Sequence, residues 1–287
     1  MTRDQLQVEQ CHPVSVASAR ILAVRDGALE EREDWLAVES ALEIRARGRD
    51  EESTAVAVTM RTPGHDAELA VGFLFTEGLI RSRDDLTAEF RDAAFTEAGD
   101  DDSMIEVVLA RPFKSDWSER RFLATSSCGV CGKATLDQVS VGCRPLTSSL
   151  VLKQSALVSM PDALRHSQPA FGKSGGLHAA GLFDDQGSLM IAREDVGRHN
   201  AVDKLVGRML LERQLPLEHE ILLVSGRVSF EILQKAAMAG ITIVCAVSAP
   251  SSLAVHAAQS LGVTLVGFLR GRSFNIYTHS ERVDPRN

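Results

Sequence analysis

The chain has 287 residues, 44% of them hydrophobic and 24% charged, with a formal net charge of −8 at pH 7. A chain of this length buries a sizeable core and fits one large or two medium domains, and its composition excludes a disordered, fibrous or repeat protein. The acidic balance excludes a broad nucleic-acid surface, because neutralising phosphates takes clustered Lys and Arg. No apolar run approaches the roughly 20 residues that span a bilayer, and "MTRDQLQVEQ" (1–10) lacks the apolar core of a leader, so no membrane contact and a cytoplasmic location are expected.

Residues 1–124 read as a small α+β region. "RILAV" (20–24), "WLAVES" (35–40), "ALEIRAR" (41–47) and "TAVAVTM" (54–60) have the alternation and β-branching of short strands. "HDAELAVGFLFTEGLI" (65–80) follows Pro63-Gly64 with apolar residues at helical spacing. The acidic turn "EAGDDDS" (97–103) leads into a strand, "MIEVVLA".

Residues 125–174 are poorly periodic apart from a helix-like "TLDQVS", and are expected to form a mobile connection. From 175 to 287 the rhythm is clearer. Strands at 189–195, 220–226, 241–247 and 263–269 alternate with helices at 200–213, 229–240 and 251–262. Nearly continuous apolar strands separated by such helices predict parallel neighbours covered on both faces, a three-layer α/β domain.

Within the connection, "TSSCGVCGKA" (125–134) holds a Cys-x-x-Cys formed by Cys128 and Cys131. Five cysteines in a chain of this length make no disulfide framework, so each is read as a thiol. A structural zinc site would need two more ligands, and the candidates are Cys143, or the remote Cys11 and His12. A thioredoxin-like dithiol would want a rigid turn at a helix start, where Gly129 and Gly132 loosen the backbone. A sulfur carrier would gain from that looseness, since its thiol must reach both a donor and an acceptor, and Lys133 would favour the thiolate. Cys245 falls in an apolar strand and reads as core.

Three further segments are dense in polar groups. "REDVGRHNAVDK" (193–204) packs charges at a strand end and helix start, where ligands bind in open α/β sheets. Asn200 and Asp203 there have the spacing of a helix cap, and Arg198 is a candidate cation. "SGGLHAAGLF" (174–183) presents His178, either a packed histidine or a site residue. "SGRVSFE" (225–231) sets Arg227 before a helix start whose N–H groups suit an anion. "FLRGRSFNIYTH" (268–279) places Arg270 and Arg272 around Gly271, as solvated surface or as a site.

Together "TSSCGVCGK", "GGLHAAGLF", "REDVGRHNAVDKLVG", "SGRVSFEILQKA", "LVGFLRG...NIYTH" and "AVGFLFTEGLI" resemble the formate dehydrogenase accessory sulfurtransferase family, FdhD, over about residues 70–279. The resemblance implies a sulfurtransferase that takes sulfur from a cysteine desulfurase and passes it to the bis(molybdopterin guanine dinucleotide) cofactor of molybdenum, or tungsten, as bound substrate, with no resident metal. It implies that Cys128 carries the persulfide with Cys131 as partner. It further implies that Phe268, Leu269, Arg270, Gly271, Arg272 and Ser273 form the cofactor-binding segment, to which His178, Arg198 and Arg227 are added here as neighbours. The catalytic subunit of formate dehydrogenase becomes an expected partner, the chain an expected homodimer, and the C-terminal domain similar to the cytidine deaminase fold. Deaminase chemistry is excluded by the residues, since His178-Ala179-Ala180 and the segment 225–229 lack the proton-transfer Glu and the thiolate ligands. A non-catalytic chaperone for the same cofactor is the alternative from another class.

Overall fold

The computed structural model describes residues 15–93, 103–113, 145–284 and 286. The described residues open with β1 (Val16–Arg25) and β2 (Ala28–Ala37), an antiparallel ribbon. Asp26 and Gly27, the two residues between them, have φ of 50° and 82°. Positive φ at both central positions is the two-residue turn whose twist matches paired strands, and Asp-Gly is its strongest sequence signal. Sequence patterning places only 20–24 and 35–40 here, because most of the ribbon faces water and lacks alternation. Leu22, Val24 and Leu29 are exposed on it.

β3 (Ser40–Gly48), β4 (Thr54–Arg61) and β5 (Met104–Leu109) form a three-stranded sheet in the order β4-β3-β5. Alternation in β3 turns Leu42, Ile44 and Ala46 inward. Helix α1 (Asp66–Thr76) packs near this sheet and α2 (Ala88–Ala93) follows. The helix expected over 65–80 stops at Thr76 because Gly78 takes φ 76° and the N–H groups of Leu79 and Ile80 turn back onto the Leu74 carbonyl. Both side chains still enter the core, which is why the apolar spacing continues past the helix.

The rest of the chain runs β6 (Leu152–Lys153), α3 (Gln154–His166), α4 (Pro169–Ser174), β7 (His178–Phe183), β8 (Leu189–Asp195), α5 (Arg198–Leu211), β9 (Ile221–Val224), α6 (Phe230–Met238), β10 (Ile243–Ala246), α7 (Ser252–Leu261), β11 (Thr264–Arg270), β12 (Ser273–Thr278) and β13 (Val283–Asp284). Residues 154–174 are therefore not irregular connection. Ala156, Leu157, Met160 and Leu164 bury one face of α3, but Pro161 inside it removes one backbone donor and disguises the pattern.

The main sheet has six strands in the order β12-β11-β10-β9-β7-β8. Only β9, β10 and β11 are parallel; β12 joins β11, and β7 joins β9 and β8, antiparallel. The expectation of parallel neighbours holds for the continuous apolar strands and fails at both flanks, where tight connections reverse the chain. Alternate residues of the central strands feed two cores. Leu222, Val224 and Val244 share one core with α1, α5 and α6, whereas Leu223, Ile243 and Cys245 share the other with α3.

The first core is continuous with the three-stranded sheet, because Leu42, Ile44 and Leu69 belong to it along with Val202 and Val206. Its tightest point is the crossing of α1 and α5. A Cβ on Gly72 would lie 1.8 Å from the Asp203 carbonyl oxygen, and one on Gly207 would lie 1.9 Å from the Glu68 carbonyl oxygen. No rotamer relieves a backbone clash, so the helices must separate to admit a methyl group. Gly207→Ala is expected to lower stability by about 1–3 kcal/mol or more, read as a lower urea midpoint at unchanged slope. A wild-type midpoint would mean that the helices are not held this close.

Candidate functional site

The candidate site follows from the directions of the strands. Parallel β9, β10 and β11 bring their C-terminal ends to one edge of the sheet, where antiparallel β8 ends and β7 begins, with His178 paired to Asp195. Helices α5, α6 and α7 all start at that edge, with Gly197, Ser229 and Ser251 as their N-caps. Ser251 caps its own helix by accepting the N–H of Ala254, but Gly197 and Ser229 make no side-chain cap bond. The first turns of α5 and α6 thus present N–H groups and the positive ends of two helix dipoles. Such termini favour an anion.

Side chains add charge of the same sign. Arg198 is the first residue of α5, Arg227 is exposed in the loop before α6, and His178 opens β7 half-buried. A Cβ on Gly226 would lie 3.2 Å from His178 Nδ1 and 3.6 Å from Arg198 Cδ, so a glycine here leaves room for both to close over the backbone. Burial first, then the charges of Arg198 and Arg227, hold the His178 imidazole below its ordinary pKa against the pull of Asp195. His178, Arg198 and Arg227 are therefore neighbours. Neutral imidazole beside two guanidinium groups supplies a donor and an acceptor in a cationic setting.

Segment 268–273 is the tip joining β11 and β12 at this same edge. The pairing of β11 with β12 shifts register between Gly267 and Arg270, and Phe268 there takes φ 53°. This bulge turns the Phe268 side chain outward, 41% exposed. Leu269 points the other way into the second core and is fully buried, so its side chain is structural and it offers a ligand only its backbone. Arg270 donates from Nε to the Val247 carbonyl at 2.8 Å, Gly271 has φ 53°, and Arg272 and Ser273 are exposed. One strand, β10, separates the Arg270 end of β11 from the Ser225 end of β9, a span of roughly 10 Å at ordinary strand spacing.

Most of "REDVGRHNAVDK" serves the fold. Arg193 makes a two-pronged ion pair with Glu68, at 2.6 and 2.9 Å. Glu194 accepts the N–H groups of Ala170 and Phe171 at the start of α4. Asp195 pairs with Lys204 at 2.7 Å and accepts the N–H of Thr62, while Lys204 donates to the Thr62 carbonyl. Asn200 lies inside α5 rather than capping it, donating to the Met60 carbonyl and to Asp195. Asp203 pairs with Lys235 at 2.8 Å and accepts from Thr76. Arg198 alone among these faces the candidate site.

His199 belongs to the same dense segment, but nothing in the string gives it a role apart from its neighbours. Its Nε2 lies 3.1 Å from Ser229 Oγ and 3.0 Å from Glu231 Oε2, tying α5 to α6 just behind the edge. Burial, followed by the charges of Arg198 and Lys235, pushes the ring down to about 3 despite the nearby carboxylate, so it is neutral. Cys128 and Cys131, with Cys11 and Cys143, lie outside the described residues. Cys245 is buried in β10, and burial raises its thiol pKa. Among the described residues no group of three or more His, Cys, Asp or Glu side chains is placed to hold a metal ion, and no helix is long and apolar enough to cross a membrane.

Fold and site define a mixed-sheet α/β protein with a cationic edge at its strand ends. The FdhD/NarQ family matches residues 37–284, and the chain belongs to that family. It is 48% identical over 273 residues to the sulfur carrier protein FdhD of Streptomyces coelicolor, covering 93% of this chain and 95% of that one. It is 45% identical over 270 residues to the protein of that name in Saccharolobus solfataricus, covering 94% and 99%. The crystal structure of a protein from Desulfotalea psychrophila described as a formate dehydrogenase accessory protein superposes with a TM-score of 0.70 at 24% identity, covering 94% of this chain and 99% of that one. At that identity the likeness bears on the fold.

The buried histidine sets a pH dependence. His199 stays neutral in the folded chain down to about 3, whereas in the unfolded chain it gains a proton near pH 6.5. The unfolded state therefore binds more protons as pH falls below about 6.5, and stability falls with it. Lowering the pH from about 7.5 to 5.5 is expected to cost about 1 kcal/mol through this residue, and His178 acts in the same direction. Urea titrations at the two pH values should show a smaller loss in His199→Gln than in wild type; equal losses would mean that the ring is charged when folded.

Proposed function

We propose that this chain is a sulfur carrier that serves a nucleotide-bearing cofactor. Its thiol pair takes the terminal sulfur of a cysteine desulfurase persulfide, and the cationic edge holds the bis(molybdopterin guanine dinucleotide) form of molybdenum, or tungsten, destined for formate dehydrogenase. The observation that carries the reading is the convergence of two uncapped helix starts with His178, Arg198, Arg227 and Arg270 on one edge of an acidic protein. Relatives named sulfur carrier protein FdhD support the sulfur half of the proposal. The cofactor is substrate here, and its diphosphate is the group that a cationic edge at two helix starts suits.

In the carrying step the Cys128 thiolate attacks the outer sulfur of the donor persulfide. A new S–S bond forms on Cys128 as the donor cysteine leaves as thiolate, so the step needs no outside oxidant. The Cys131 thiolate can then take the outer sulfur by the same exchange, with Cys128 leaving as thiolate, or attack the inner sulfur, expelling HS− as a Cys128–Cys131 disulfide forms. The cationic edge binds and orients the acceptor, and neutral His178 donates one hydrogen bond to it. The proposal includes a homodimer and a C-terminal domain akin to the cytidine deaminase fold, in which the nucleotide end lies where a deaminase keeps its zinc.

Two measurements test the halves separately. After incubation with a cysteine desulfurase and cysteine, the peptide holding Cys128 and Cys131 is expected to gain the mass of one sulfur. Cys128→Ala should abolish formate dehydrogenase activation; full activation by the Cys128→Ala/Cys131→Ala double variant would leave only a cofactor-binding chaperone. In calorimetric titrations GDP should bind wild type. Each charge-assisted contact is worth about 1.5–3 kcal/mol, so Arg227→Ala and Arg270→Ala should bind roughly 10- to 150-fold more weakly. Equal affinity in all three proteins would place the nucleotide elsewhere.

A further inference from the structure

A cleft of about 350 Å³ lies at the far ends of α5 and α6, away from the cationic edge, beside the end of α1. Its floor is Phe75 at the end of α1, Leu210 at the end of α5 and Met238 at the end of α6. Arg198 and Leu210 are twelve residues apart on α5, so at helical rise the cleft is about 18 Å from the cationic edge. Three arginines, Arg81, Arg83 and Arg213, stand around its mouth with a single carboxylate, Asp84. In a chain of net charge −8 this is a local excess of positive charge.

Arginines beside helix C-termini have an ordinary explanation, since carbonyl ends attract cations. Here the backbone has already closed those ends. The N–H of Gly78 bonds the Phe75 carbonyl, that of Arg213 the Leu210 carbonyl, and that of Gly240 the Ala237 carbonyl. Arg213 is engaged by Asp84 at 2.6 Å. Arg81 is exposed, and Arg83 has its Nε buried with no hydrogen-bond partner among the described residues. A buried guanidinium N–H without an acceptor costs free energy unless something supplies one. An apolar floor under a mouth of planar, forked donors matches a ligand whose carboxylate or phosphate sits beside an apolar group, and the volume is that of a small-molecule pocket.

We infer that the cleft between the C-terminal ends of α1, α5 and α6 is a second ligand site, for a small organic anion whose acidic group meets Arg81 and Arg83 and whose apolar group covers Phe75, Leu210 and Met238. The site is independent of the thiol pair and of the nucleotide-binding reading. The test is calorimetric titration of the whole chain with phenyl phosphate and with phenylacetate, which separates phosphate from carboxylate recognition. At least one is expected to bind saturably with a Kd on the order of 1 mM or tighter, reasonable for about ten non-hydrogen atoms. Inorganic phosphate and acetate, which lack the ring, should bind at least about 10-fold more weakly. Arg81→Gln/Arg83→Gln should lose at least about 10-fold, and Arg25→Gln, exposed on the β1–β2 ribbon, should bind as wild type does. Because Arg81 is exposed, Arg81→Gln alone provides a variant whose fold is not at risk. No saturable binding of either aromatic anion, equal affinity for the ringless anions, or unchanged affinity in Arg81→Gln and the double variant would each overturn the assignment.

Discussion

Buried ion pairs where the two parts of the chain meet, and the hydrogen bonds tied to them, govern how everything else is placed. Arg193 on β8 grips Glu68 on α1, and Lys204 on α5 grips Asp195 while donating to the Thr62 carbonyl. Lys235 on α6 completes the series with Asp203 and Thr76. Burial pushes the Glu68 carboxyl up, but the hydrogen bond and charge of Arg193, with His65 and Arg208, outweigh it and hold the group below the usual carboxylate range. Such pairs contribute little net stability over apolar replacements, yet losing one partner strands a charge at a cost of about 3–5 kcal/mol. Their value lies in position. They admit one registration of α1 on α5, and hence one placement of Arg198.

The same pairs explain how an acidic protein keeps a cationic face. Its three most deeply buried cations are matched by interior carboxylates: Arg193, Lys204 and Lys235 all have partners and are almost fully shielded from water. Arg198, Arg227 and Arg270 stand instead at the strand ends. There the helix starts reinforce them, and a half-buried histidine is kept neutral beside them. A surface of mixed charge elsewhere does not cancel this, since exposed charges more than about 8–10 Å away are screened at physiological salt.

Much of this was legible in the string and some was not, for identifiable reasons. The alternation of apolar strands and helices after residue 188 marked β8 to β11 and α5 to α7 within a few residues of their ends. Arg198, Arg227 and His178 stood out because basic residues at strand ends and helix starts have a recognisable local grammar. The flanking strands β7 and β12 were not marked as strands, and α3 was hidden by Pro161. The density of charge at 193–204 was visible, but its division was not. Whether a carboxylate meets a ligand or an arginine over a hundred residues away is decided by tertiary contact, as Arg193 with Glu68 shows. Likewise Gly72 and Gly207 look like weak points in two helices until the chain is folded, when each proves to be the place where a backbone must pass.

That passage has a mechanical consequence. Helix α5 is held against α1 at Gly207, three residues from Leu210 and nine from Arg198. Asp203 meets the backbone at Gly72 one turn earlier, and Asn200 and Lys204 are tied to the Met60 and Thr62 carbonyls, so the helix is gripped along about two turns. A rod held at several points along its length cannot tilt about any one of them. The Arg198 end of α5 is therefore a fixed post, set by contacts made deeper in the molecule than the edge it serves.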